Sequence, residues 1–468
     1  MELGWGLSRI LVVPLYITAI LAVILTLTKR IEFGIFFILP FVPHQNILDY
    51  MIELPYGKDI NDIIFVALII KWIIDKRRSG ESFIIRTPFN YAILAFMLWT
   101  YIEMWWGASY FGMDAPLSLK DPRVIYWKNL IRIPLLYLII VNNIKSPKQM
   151  KVIVILMICA IIMLDRSFYN IAQYKDFSHF SESTDKIGGM EALGPNELAV
   201  FLAMYVIVLV ALFTNIKNIW IKLMLSGPIA LSYYCIAFLF SRSGYLAAFA
   251  GVAAIGLLKD KRIFILVFAL VLYWQVLLPT AVRERIEMTR SDGKYDDTTQ
   301  QRFGMWEKGL ELVSSNPIMG IGLDGAHYVV VTSKGYDRSW GSFHNSYLQQ
   351  SVETGIPGLV IYLWIFFLMF KAGWRLFRNT DDEFQKALGL GLMACVLSML
   401  AGNFAGGYWN YFSMMGYLYV LTAMVMRIMI NADEQENDSS LIGDNDINDS
   451  EKSYMPQSPI TNTIEQLS

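Results

Sequence analysis

Three arginines and a histidine stand where charge and basicity could act on a substrate. Ser241-Arg242-Ser243-Gly244 sets one guanidinium between two long apolar runs. A charge with so few polar neighbours is costly in that setting, which favours a phosphate-binding role over a hairpin turn with a snorkelling arginine. Arg302, within Gln301-Arg302-Phe303-Gly304-Met305-Trp306, opens a stretch of helical character reaching Val313. By residue type alone it reads as an interfacial arginine paired with Glu307. Arg166 adjoins Asp165; an ion pair is the simpler reading, a third phosphate contact the alternative. Guanidinium stays charged and grips phosphate oxygens bidentately. His344 precedes Asn345, Ser346 and Tyr347 at the start of another helical stretch. Imidazole is the usual base near neutral pH, although a lone histidine more often only makes a structural hydrogen bond.

Other polar residues lie between and beside these. Asn316-Pro317 followed by Gly320, Gly322 and Gly325 forms a turn-rich loop whose amides could face an anion. It is neither a dinucleotide-binding nor a P-loop fingerprint, because no Gly-Lys-Ser/Thr and no βαβ context accompany it. Asn345 suits a helix cap, and Tyr347 suits either stacking on a sugar or anchoring at an interface. Glu353, ahead of Gly355 and Gly358, would orient His344 or an arginine, or cap the incoming helix. Asn196 follows Pro195, an ordinary first residue of a helix. Arg283, Arg285 and Arg290 fit either lipid-headgroup binding or closure over a substrate. Asp296-Asp297 reads as a solvated turn.

The elements that hold these residues are helices in a bilayer. The 468 residues are 55% hydrophobic, and the mean hydropathy is +0.43, too high for a soluble domain of this length. Apolar runs near the ~20 residues needed to cross the hydrocarbon core recur throughout. They predict an all-α, polytopic membrane protein with 11 to 13 spans, including 31–43, 61–75, 243–258 and 262–280. Cys159, Cys235 and Cys395 all sit inside apolar runs without metal-ligand spacing and read as small buried hydrophobes.

Nine of the 40 acidic side chains but only one of the 39 basic ones fall in 431–468, so the rest of the chain is basic. Its lysines and arginines cluster at 76–78, 145–151, 217–222, 259–262 and 371–378, in alternate connections, which assigns those to the cytoplasm. The long polar interruption at 281–354 is then extracytoplasmic, with short helices inside it. This divides the chain into a membrane domain over 1–430 and an acidic cytoplasmic tail over 431–468. The tail is too poor in large apolar residues to fold alone and reads as a disordered solvating segment or a partner contact.

The order Gln301-Arg302-Phe303-Gly304, Asn316-Pro317 to Gly322, His344-Asn345-Ser346-Tyr347 and Glu353-Thr354-Gly355, with Ser-Arg-Ser-Gly at 241–244 and Gly194-Pro195-Asn196-Glu197 upstream, resembles the O-antigen ligase and O-antigen polymerase family. That resemblance is densest over 195–375. It implies a GT-C-like glycosyltransferase in the bacterial inner membrane, with the tail as a contact for other polysaccharide-assembly proteins. No cofactor and no nucleic acid are expected, and no metal, since no acidic residues are paired for one on the outer face. The donor would be an undecaprenyl-diphosphate-linked glycan held by Arg242 and Arg302, with Arg166 as a further contact. His344 would be general base or orienting group for a glycan or lipid acceptor, and the anomeric centre would invert. Asn196, Asn345, Tyr347, Glu353, Gly320 and Gly322 would help bind substrate. Polymerase and ligase rank level, and protein glycosylation follows. A flippase for lipid-linked sugars predicts inverted repeats and broken helices in matching positions, a symmetry absent from this sequence.

Overall fold

The structure, a computed structural model, describes residues 12–44, 47, 50–180, 193–288, 290–291, 294–332 and 341–453. Its first half contains α1 (Val12–Thr28), α2 (Glu32–Ile38), α3 (Ile60–Ser79), α4 (Pro88–Tyr110), α5 (Pro122–Asn143), α6 (Pro147–Ala172) and α7 (Pro195–Asn215). Next come α8 (Ile219–Phe238), α9 (Arg242–Leu258), α10 (Lys261–Leu272), α11 (Trp274–Leu277) and α12 (Thr280–Glu287). The series ends with α13 (Asp297–Ser315), α14 (Gly325–Thr332), α15 (Ser346–Asn379), α16 (Glu383–Gly402) and α17 (Phe412–Ser453). Several starts are written locally: proline opens α4 to α7, and Ser241 and Asn345 cap α9 and α15 through their side chains.

The protein is thus a polytopic helical membrane protein. Among the described residues seven helices, α5 to α8 and α15 to α17, are long and apolar enough to cross a bilayer, with three shorter apolar helices besides. The expected 11 to 13 spans exceed this for definable reasons. The run at 262–280 is broken at Tyr273 into α10, of 12 residues, and the one-turn α11. At 1.5 Å per residue α10 reaches about 18 Å, short of the ~30 Å hydrocarbon core. The 31–43 run is α2 and a 3₁₀ turn. Helix α3 carries Asp62, Lys71, Asp75 and Lys76 along its length.

The centre of the bundle is α7, apolar on every side and packed by α8, α9 and α16. An all-round apolar helix belongs in the interior. Small residues and polar bonds hold the neighbours close, as in lipid where no hydrophobic drive separates helix from tail. A Cβ on Gly389 would meet the Gly373 carbonyl oxygen at 2.7 Å, and Ser398 Oγ donates to the Ala247 carbonyl at 2.9 Å. The basic connections are laced together at one end of the bundle: Lys76 and Lys145 both pair with Glu81, and Lys217 with Glu383. At the other end the N-termini of α5, α7, α9, α15 and α17 gather beneath the 281–354 segment. Helix α17 continues through 431–453, where composition predicts disorder. Residues 454–468 lie outside the described residues.

Candidate active site

Helix α13 organises the site through residues spaced to share one face. Its cap, Asp296, accepts from the Thr299 amide and from Arg242 Nη1 at 3.0 Å. The Thr298 and Thr299 hydroxyls accept from Arg242 as well, at 3.2 and 3.3 Å. One turn on, Arg302 Nη1 reaches the Ala405 carbonyl at 3.4 Å. A further turn on, Trp306 Nε1 donates to the Phe343 carbonyl at 2.9 Å. The helix therefore clamps the start of α9, the 403–408 turn and the strand-like residues before α15. Asp296, read from sequence as part of a solvated turn, is instead the pivot of this clamp.

Arg285 joins the group from α12. It donates to the Phe240 carbonyl at 3.2 Å, lies 5.1 Å over the Phe180 ring and approaches Asp296 at 3.8 Å. Burial raises the Asp296 carboxyl, but the Thr299 bonds and the Arg242 charge outweigh it and hold the group below its ordinary value. Arg302 has no carboxylate partner among the described residues, and its buried Nε–H meets no acceptor. Burial and the neighbouring Arg242 both lower its pKa. The result is a crevice with an uncompensated positive charge.

His344 stands beside Arg302 with φ +48°, a left-handed backbone that a bulky side chain seldom adopts. Such strain tends to persist where the surroundings dictate a side chain's aim. Its amide donates to Ser342 Oγ at 3.3 Å. Burial, then the Arg302 charge, lower the imidazole from 6.5 to about 4. The ring is neutral at physiological pH and can accept a proton. On the far wall, Tyr408 Oη is 3.2 Å from Ser243 Oγ, next to Arg242.

The remaining residues separate into scaffold and surroundings. Gly320 and Gly322 do not offer their amides to an anion. The amides of Gly320, Ile321, Gly322 and Leu323 donate to the carbonyls of Asn316, Val352, Glu353 and Glu103 at 2.8–3.2 Å. Gly322, at φ +95°, also lies so close to Gly107 that a Cβ would sit 2.0 Å from its Cα. Glu353 orients neither His344 nor an arginine: its carboxylate accepts from Gln349 Nε2 at 3.1 Å, and the amides of Asp324 and Ala326 point at it. Tyr347 is a packing residue, its hydroxyl bonded to the Leu400 carbonyl at 2.8 Å and its ring edge-on to Trp409. Asn345 caps α15 by accepting from the Leu348 amide at 3.0 Å. Arg166 is exposed on α6, while Asp165 takes its bond from Ser232 at 2.5 Å. Asn196 sits half-buried in the first turn of α7 beside Glu197, which is within electrostatic reach of Tyr408.

Arg242, Arg302 and His344, spread over 103 residues of sequence, thus converge. Arg285, read from sequence only as a headgroup or closure residue, and Asp296, read as a solvated turn, join them, as does Tyr408, which the sequence did not single out. Two of these carried a signal: Ala281, Val282 and Arg285 share the buried face of α12, and Asp296 three residues before Thr299 has cap spacing.

A helical membrane protein with a buried cationic crevice beside a neutral histidine defines the class. Residues 227–363 match the family described as O-antigen ligase, a segment that contains Arg242, Arg285, Asp296, Arg302 and His344. The exopolysaccharide production protein ExoQ of Rhizobium meliloti (strain 1021) is 27% identical over 135 residues, which cover 25% of this chain and 31% of that protein. The likeness thus spans under a third of the relative's length.

Proposed function

We propose that this protein transfers a glycan from an undecaprenyl-diphosphate carrier to an acceptor hydroxyl, in the biosynthesis of a cell-surface or secreted polysaccharide. What carries the reading is the unmatched Arg302 guanidinium, with its orphaned Nε–H, beside Arg242 and a neutral His344. A diphosphate fits that arrangement, because bidentate bonds from guanidinium groups would satisfy both charge and geometry. The crevice lies under the 281–354 segment, where a carrier whose chain stays in the bilayer can present its headgroup. The clustering of lysine and arginine in alternate connections supports assigning that face to the outer side of a bacterial inner membrane.

His344 takes the proton of the acceptor hydroxyl. The hydroxyl oxygen attacks the anomeric carbon from the side opposite the diphosphate, the carbon–oxygen bond to phosphate breaks, and its electron pair leaves on the diphosphate. The configuration inverts. Arg242 and Arg302 stabilise the charge that gathers on the leaving oxygen. Binding also tunes the base: a diphosphate on Arg302 cancels one of the two causes that depress the imidazole, so His344 becomes more basic as the donor arrives. Arg285 and Asp296 hold Arg242 in place. Similarity to an exopolysaccharide production protein favours polymerisation of repeat units over ligation to a lipid core.

The test uses purified protein, lipid-linked oligosaccharide and the pair Arg302→Ala and His344→Ala. Transfer is expected to fall by about 10²-fold or more in each. Undiminished transfer in both would overturn the assignment, and a ladder of products as opposed to single-block addition would identify a polymerase.

A further inference from the structure

A cavity of about 470 Å³ adjoins the segment that carries His344. Its lining includes Tyr126, Asn129, Asp324, His327, Gln349 and Asn410. The cavity and the arginine crevice meet along that segment. Ser342 lines the cavity while its hydroxyl accepts from the His344 amide at 3.3 Å. Gly407 lines it too, directly before Tyr408, whose hydroxyl faces Ser243 beside Arg242.

The two spaces differ in charge. The crevice has three arginines around the single carboxylate of Asp296, whereas the cavity presents the Asp324 carboxylate, and its one arginine, Arg132, shares Asp62 with Lys128. Asp324 is held at φ +62°. A phosphate there would meet that carboxylate. The other lining groups are amides, hydroxyls, tyrosine rings, the His327 imidazole and the Phe412 ring, a set of donors, acceptors and flat faces suited to an uncharged polyol. Gln349 Oε1 is buried and accepts no hydrogen bond among the described residues, while its amide nitrogen donates to Glu353. The volume falls within the ~300–1,000 Å³ usual for small-ligand sites.

We infer that this cavity is the acceptor subsite: it holds the terminal, uncharged sugar of the acceptor with one hydroxyl turned toward His344. The inference rests on the transfer reading above and adds the position and chemistry of the second substrate. Asp324, Asn129 and Gln349 select hydroxyl groups and exclude a second diphosphate, so donor and acceptor cannot exchange places.

The experiment measures binding, which does not require turnover. The probe is the free oligosaccharide released from the lipid-linked donor by mild acid, titrated into full-length protein in detergent; inorganic pyrophosphate is titrated separately. Asn129→Ala and Gln349→Ala are expected to weaken oligosaccharide binding at least tenfold and leave pyrophosphate binding unchanged. Arg302→Ala should do the reverse. Asp324→Asn keeps the shape of the side chain and should reduce discrimination against a phosphorylated oligosaccharide, and thermal unfolding of each variant shows that it is folded. Oligosaccharide binding that is absent from the wild type, or that responds to Arg302→Ala and not to Asn129→Ala or Gln349→Ala, overturns the subsite. Pyrophosphate binding indifferent to Arg302 would instead overturn the donor site and leave the cavity assignment standing.

Discussion

Two regions beside the long segment are built from motifs of similar polarity but treat their polar atoms in opposite ways. The first is the clasp between 316–323 and 352–356. Helix α15 breaks at Gly355, φ +66°, and the freed Ile356 amide donates to the Pro317 carbonyl at 2.9 Å. Ile321 and Gly322 return the favour to Val352 and Glu353, and Trp106 and Trp99 donate to the carbonyls of Gly320 and Thr354. The second region, around Arg242, Arg302 and His344, leaves a guanidinium N–H unused and a histidine in a left-handed backbone. Buried polar groups are normally satisfied. Where the backbone amides are all taken, as at 320–323, the motif is scaffold; around Arg302 the unused N–H can be completed by a ligand.

That contrast is open to attack by substitution. Arg302→Ala should bring the largest change, a loss of about 10²–10³ in transfer with the unfolding temperature in detergent nearly unchanged. A variant equally inactive because it unfolds would erase the distinction. Gly322→Ala should do the opposite and destabilise the fold by roughly 3 kcal/mol, since the new methyl strikes Gly107 and the backbone is left-handed. Thermal unfolding of the folded fraction, with transfer measured per folded molecule, separates the two. Arg302→Lys retains charge but not the fork and should cost about tenfold, read as a rise in donor KM.

The pH profile offers a finer probe. Because His344 titrates near 4 and must be neutral to accept a proton, kcat/KM of the free enzyme should hold well below pH 6.5 and fall only toward about 4. In Arg302→Gln one of the two depressing causes is gone, so the acid limb should move upward; an unmoved limb would place the titrating group elsewhere. The same shift acts on stability. The unfolded chain takes up the proton first, so stability is lost as pH falls from about 6.5 toward 4. Tyr347→Phe should have the smallest effect, about 1 kcal/mol for the lost Leu400 bond with transfer within threefold.

Much was legible in the linear order of residues because its cause is local. Apolar runs longer than a bilayer, proline and asparagine at helix starts, and an arginine stranded between two such runs each state a cost that any fold must meet. On those grounds the sequence by itself determined the helical membrane class, the cap at Asn345 and the interest of Arg242, whereas Arg302 and His344 stood out through the family resemblance. It could not say what the glycines at 320 and 322 were for. A glycine tolerates left-handed backbone and close approach for many purposes, and only the position of Gly107 and the carbonyls of 352 and 353 chose one. Nor could it place Arg285, Asp296 and Tyr408 in the crevice, or assign Tyr347 and Glu353 to packing, because each role depends on a partner far along the chain. Tertiary structure decided which polar atoms found partners. The sequence had only fixed how many there were, and satisfaction of a buried hydrogen bond is a property of where atoms meet.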